Sequence, residues 1–297
     1  MDKLNTLLQS GKPILLDGAM GTMLMEAGLE SGDSPEEWNS LQPDAVRRIH
    51  RAYIQAGSQI ILTNTFGGTS VRMETHGLGE RVIELNKKAA ENARAEADAA
   101  AHPVLVAGSM GPTGQLLEPL GTLTISEAEK SFADQATGLA AGGVDLFWVE
   151  TMSDLGEVKA AIAGVRSVSE LPIAATMSFD SRGHTMMGVS PEQAVKELGE
   201  MNIQLLGANC GTGSDELIEA IKKMRSANPD LPLIAKANAG VPQMVGTEVV
   251  YDGSPEVMAA YAADVWEEGA TLIGGCCGSS PAHVRAMAEA LAEIQPR

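Results

Sequence analysis

The sequence predicts an α/β protein built as one (β/α)8 barrel of the TIM type, a single domain over residues 1–297. Short apolar runs with a β-strand bias recur eight times, and Ala-rich or polar segments of helical character separate them. The repeat is even: seven intervals between residues 14 and 272 average about 37 residues, enough for a strand, a helix and two loops. A chain of 297 residues also suits such a barrel as one unit.

The runs fall at 14–16, 60–63, 104–107, 146–149, 173–176, 205–207, 233–235 and 272–273. They are apolar throughout rather than alternating, which predicts parallel strands buried on both faces. Right-handed crossovers then wind the helices around the outside. The first run leads into Asp17-Gly18-Ala19-Met20-Gly21-Thr22. A doubly wound open sheet, the main rival fold, would carry a GxGxxG turn there. The first unit, with Gly32, Ser34 and Pro35, is expected to contain an inserted loop. After the third run, Ser126 and Glu129 have the spacing of a capping box. Ser190-Pro191-Glu192 and Ser254-Pro255-Glu256 each put proline at a first helical position.

With 44% hydrophobic residues, 3% aromatics and 15 methionines, the core must be aliphatic and thioether rather than ring-packed. A formal charge of −18 repels polyanions, so nucleic acid is excluded as a partner. No stretch approaches the roughly 20 apolar residues that span a bilayer. Met1-Asp2-Lys3 does not open a signal peptide, so a cytoplasmic protein without a membrane partner is expected. Three cysteines, two of them adjacent, cannot form a disulfide framework and are expected as reduced thiols.

Active sites of this fold lie at the carboxyl ends of the strands. The residues there are Asp17, Asn64 with Thr65, Ser109, Glu150 with Thr151, Ser178, Asn209 with Cys210, Asn238, and Cys276 with Cys277. All three cysteines are among them. A lone free cysteine usually acts as a small buried hydrophobe. Three thiols converging from two nonadjacent strands suit tetrahedral zinc with a fourth position open to substrate. Cys276 and Cys277 can share a metal only where the backbone leaves strand geometry, which Gly274, Gly275 and Gly278 permit. Of the five histidines only His184 offers a weak fourth ligand.

Zinc on three thiolates carries net negative charge, which suits it to binding and deprotonating another thiol rather than to activating water. Asp17 and Glu150 at the same mouth call for a cation such as a substrate ammonium. The Gly18 and Gly21 turn offers N–H groups to a carboxylate. An amino acid bearing a thiol fits this set.

Asp17-Gly18-Ala19-Met20-Gly21-Thr22, Thr63-Asn64-Thr65-Phe66-Gly67, Gly207-Ala208-Asn209-Cys210 and Gly274-Gly275-Cys276-Cys277-Gly278 resemble the zinc-dependent homocysteine S-methyltransferase family over essentially the whole chain. The resemblance implies zinc on Cys210, Cys276 and Cys277, homocysteine as substrate and methionine as product. It implies that Asp17 and Glu150 hold the amino group, with Gly18, Ala19, Asn64 and Asn209 completing the substrate-binding set. The family's donors include betaine, S-methylmethionine and methylated corrinoids. Betaine needs an aromatic cage, yet Gly67 follows Phe66 and only Trp38 remains as a nearby ring. The DGAMGT and TNTFG segments look more like the homocysteine module of cobalamin-dependent methionine synthase. A methylcorrinoid is therefore the expected donor, carried on a partner protein since no Asp-x-His-x-x-Gly segment occurs here; betaine or S-methylmethionine is the alternative. Two other classes compete: a phosphate-binding barrel enzyme, with Gly274-Gly275 and Ser279-Ser280-Pro281 as the cradle, and a zinc-storage or interaction protein.

Overall fold

A computed structural model describes residues 3–246 and 248–295. Eight parallel strands form one sheet: β1 (Ile14–Leu15), β2 (Ile60–Leu62), β3 (Leu105–Met110), β4 (Leu146–Met152), β5 (Ile173–Met177), β6 (Leu205–Asn209), β7 (Leu233–Ala237) and, after a small antiparallel hairpin of β8 (Pro242–Val245) and β9 (Glu248–Tyr251), β10 (Ala270–Gly275). The pairing order β1-β10-β7-β6-β5-β4-β3-β2 is closed by a parallel bridge from Leu16 to Ile60, so the sheet is a barrel. An α-helix follows each barrel strand on the outside, from Pro43–Ala56 after β2's predecessor to Pro281–Ala292 after β10.

The period of two along each strand sorts its side chains into two cores. Ile14, Leu62, Leu105, Trp148 and Ile234 point into the bore, whereas Leu15, Ile61, Val106, Val149 and Ala235 pack against the helices. Trp148 heads the largest fully buried side chains and fills the bore. The helix Lys3–Leu8 lies under it: Leu4, Leu7 and Leu8 pack on the inner core, and Lys3 reaches Asp145 at the start of β4. Among the described residues no helix is long and apolar enough to cross a membrane.

Two expectations are refined and one element is new. The insertion in the first unit is structured, with the helix Met20–Glu26, the 3-10 turn Pro35–Glu37 and the short helix Trp38–Leu41. The capping box of the helix Ile125–Ala141 is made by Thr124 and Glu127, not by Ser126 and Glu129. Thr124 is the residue with extended backbone next to the helix, so its hydroxyl is the one that reaches a free N–H. The hairpin β8–β9 was not anticipated. Ser190 and Ser254 cap their helices ahead of Pro191 and Pro255 as the sequence implies.

Candidate metal and thiol site

The three cysteines meet at the carboxyl end of the barrel. Cys210 follows β6 in a left-handed turn, φ 57°, and its N–H donates to the Lys236 carbonyl at 3.0 Å. Cys276 and Cys277 follow β10 where the chain turns out of the sheet; the Cys276 N–H donates to Ala237 O and the Cys277 N–H to Asn238 Oδ1 at 3.1 Å. The Asn238 amide also donates to Gly211 O at 2.9 Å, so one side chain fastens both cysteine loops.

The three sulfurs lie within 4.8 Å of one another. Cys210 Sγ is 3.9 Å from Cys277 Sγ and 2.8 Å from Cys276 Sγ. Two thiolates on one tetrahedral zinc, with bonds of about 2.3 Å, stand roughly 3.8 Å apart. The first pair already has that spacing, and the second is a direct thiol contact that must open. Soft donors, their number and their convergence fit zinc. Among themselves the thiols do not ionise alike. Hydrogen bonds from Cys210 and Cys276 pull Cys277 down, and the same contacts hold Cys210 up.

Asp17 and Glu150 both reach this end of the bore, and the structure supplies a cation between them that the sequence reading missed. Lys236 Nζ is 2.8 Å from Asp17 Oδ1, and the Leu62 N–H donates to Asp17 Oδ2 at 2.7 Å. Burial works against the Lys236 ammonium, but Asp17, Glu150 and Cys276 outweigh it and hold its pKa above the ordinary lysine value. Glu150 accepts a short hydrogen bond from Ser109 Oγ. Burial pushes its carboxyl up to about 7, against the attraction of Lys236 and with the repulsion of Cys276. Glu150 and Thr151 sit in an irregularity of β4, where register with β5 shifts between Val149 and Met152.

The remaining expected residues divide. Asn209 faces the site: its amide donates to Thr151 Oγ1 at 2.7 Å and lies 3.8 Å from Cys276 Sγ. Ala19 joins the turn, its N–H on Ser279 O and its carbonyl on the Tyr53 hydroxyl. Gly18 has a packing reason to lack a side chain, since a Cβ there would stand 2.8 Å from Ser279 O. Asn64 is spent elsewhere, its amide donating to Pro35 O at 2.7 Å and Asn39 Oδ1 at 3.2 Å, which ties the insertion to β2. His184 is exposed and outside the cysteine cluster. Trp38 packs on the outer core. The ring that does reach the cysteine loop is Tyr251, from β9, packed against Gly278, where Cys277 raises the pKa of its hydroxyl. The groups of the rival phosphate cradle are engaged within the chain: Ser279 Oγ donates to Cys276 O, and the Ser280 N–H to His283 Nδ1.

Comparison with known proteins agrees with this geometry. Methionine synthase of Mycobacterium tuberculosis (strain ATCC 25618 / H37Rv) is 33% identical over 94% of the chain, and that of Mycobacterium leprae (strain TN) 32% over 98%. The chain spans about a quarter of their length, 24% and 25%. The homocysteine methyltransferase MmuM of Escherichia coli, in its oxidized and metallated forms, superposes with a TM-score of 0.81 at 26% identity, covering 96% of this chain and 98% of that one. A family model described as homocysteine S-methyltransferase matches residues 14–291. With the match running from the first barrel strand to the last helix, the chain belongs to the homocysteine S-methyltransferase family.

Proposed function

We propose that Cys210, Cys276 and Cys277 hold a zinc ion with which this chain methylates the thiol of homocysteine, the methyl group arriving on a methylated corrinoid carried by a separate protein. The observation that carries the reading is the convergence of three sulfurs within 4.8 Å from loops 66 residues apart in sequence. Family membership supports the acceptor, and a metallated form of MmuM supports a metal in a related site. Zinc bound here would supply the pull that ionises a thiol at neutral pH, where a free alkyl thiol is only a few per cent ionised.

The chain's own groups do the rest. Glu150, beside the Asp17–Lys236 pair, receives the substrate ammonium, and the turn at Gly18 receives the carboxylate. Asn209 steadies the sulfur end through its contact with Cys276. The substrate sulfur attacks the methyl carbon, and the donor departs with the electron pair of the bond it loses. The thiol proton goes to solvent and no covalent enzyme intermediate forms.

The test is metal analysis of the purified protein followed by incubation with homocysteine and, separately, methylcobalamin, betaine and S-methylmethionine. One zinc per chain and methionine from methylcobalamin are expected. Absence of stoichiometric zinc, with no effect of a chelator, overturns the metal; methionine from free betaine overturns the donor.

A further inference from the structure

We infer that Lys236 is a positioning residue whose fixed charge lets this site hold a substrate thiolate, by offsetting the negative charge added when the homocysteine thiol loses its proton beside the three cysteines. The inference rests on the zinc and homocysteine reading above.

Lys236 lies in register between the two strands that carry the cysteines, opposite Asn209 of β6 and Gly274 of β10. Its backbone carbonyl accepts the Cys210 N–H, so its main chain is fastened to the site. Ile234, two residues earlier on the same strand, points into the bore, and so does Lys236, with its ammonium 5.9 Å from the centre of the Trp148 ring. Among the described residues it is the only Lys or Arg that is buried, 3% exposed. Every charged group it faces is anionic or becomes so: Asp17, Glu150 and Cys276.

A buried lysine is retained at such a place only if the charges around it need it. Asp17 alone does not explain its position. Lys236 is the one protein cation facing Asp17, Glu150 and Cys276, and zinc on the three cysteine thiolates would leave a net charge of −1 beside it. A substrate that brings a thiolate adds one more. The product does not, because a thioether is neutral. Lys236 therefore favours homocysteine as the thiolate over methionine, although the two share the same amino and carboxylate groups. It discriminates substrate from product by charge at sulfur.

Calorimetric titration of the zinc-loaded protein with homocysteine and with methionine tests this, beside zinc affinity measured by competition with a chromophoric chelator. In Lys236→Met we expect homocysteine to bind at least about tenfold more weakly, methionine to change by less than about threefold, and zinc affinity to fall. Equal weakening of both amino acids would make Lys236 merely structural, and no change in either would remove it from the site; both outcomes overturn the inference. Should Lys236→Met fail to fold because Asp17 is left unpaired, Asp17→Asn with Lys236→Met removes that charge. Loss of Asp17 affects both amino acids alike, so the ratio of their affinities must still fall about tenfold against Asp17→Asn alone. A wild-type protein that binds neither zinc nor homocysteine would instead defeat the underlying reading.

Discussion

Thr151 and Asn209 exchange two hydrogen bonds across the end of β5: the Thr151 N–H donates to Asn209 Oδ1 at 2.9 Å, and Asn209 Nδ2 donates to Thr151 Oγ1 at 2.7 Å. Thr151 has φ 61°, a conformation that a β-branched residue adopts only when its surroundings impose it. This pair is what imposes it, and it thereby fixes Glu150 next door. Asn209→Ala is expected to cost about 1–3 kcal/mol of stability and to lower methyl transfer more than tenfold. Denaturant unfolding and activity on one preparation check both.

Replacing any one cysteine tests the metal centre residue by residue. Cys210→Ser, Cys276→Ser and Cys277→Ser are each expected to lose zinc on gel filtration and at least about a hundredfold in methyl transfer, while the aliphatic core keeps the barrel folded. Full activity in any of the three would remove that residue from the ligand set.

Glu150 gives a pH signature in the metal-free protein. Its folded pKa of about 7 lies above the ordinary 4.5, so the unfolded chain ionises it more readily. The native state therefore loses stability as pH rises from 4.5 to 7 and carries the full cost above that, about 3 kcal/mol at most. Glu150→Gln should be more stable than wild type at pH 8 and equal to it at pH 4.5. The same variant should bind homocysteine more weakly.

His50 gives the opposite slope. Burial lowers its pKa from 6.5 to about 4, and neither ring nitrogen has a hydrogen-bond partner among the described residues. The unfolded chain takes up the proton first, so stability present above pH 6.5 is lost as pH falls through 4. His50→Met should flatten that part of the stability curve, as followed by thermal unfolding between pH 7 and 4. An unchanged slope would mean that His50 finds a partner when charged.

Two glycines should respond in opposite ways to a single methyl group. Gly278 has φ +77°, and a Cβ there would stand 2.4 Å from the Tyr251 ring, so Gly278→Ala should cost about 1–3 kcal/mol and displace the tyrosine. Gly21 sits in the first turn of the helix Met20–Glu26 with nothing within 4 Å of such an atom. Gly21→Ala should be neutral or stabilising by up to about 1 kcal/mol. Melting curves of the two variants settle the contrast.

The strand ends were readable from sequence because continuous apolar runs mark buried parallel strands, and the first polar residue after each run is the one that reaches the mouth. That logic placed Asp17, Glu150 and all three cysteines at the carboxyl end of the barrel, where the structure has them. It passed over Lys236, which stands between the run 233–235 and the more conspicuous Asn238. The signal was present, since a charge one residue inside the end of β7 has only the bore to enter. The contacts of the Asn64 amide N–H groups could not be read, because a strand-end position does not say which way an amide turns, and Pro35 and Asn39 come from a distant insertion. The capping boxes at Thr124 and Ser126 have identical spacing, and only the backbone angle at the helix start separates them. Tyr251 was out of reach because its approach to Cys277 depends on a hairpin folding back over the site.

The helix Lys3–Leu8 stoppers the barrel beneath Trp148, so the bore has a single door. Under the proposed function, acceptor and donor would use it in turn. An amino acid held at Glu150 would then enter before the donor arrives and leave after it has gone. Steady-state kinetics should accordingly be sequential and ordered, with methionine competing against homocysteine and trapped whenever the donor stays docked.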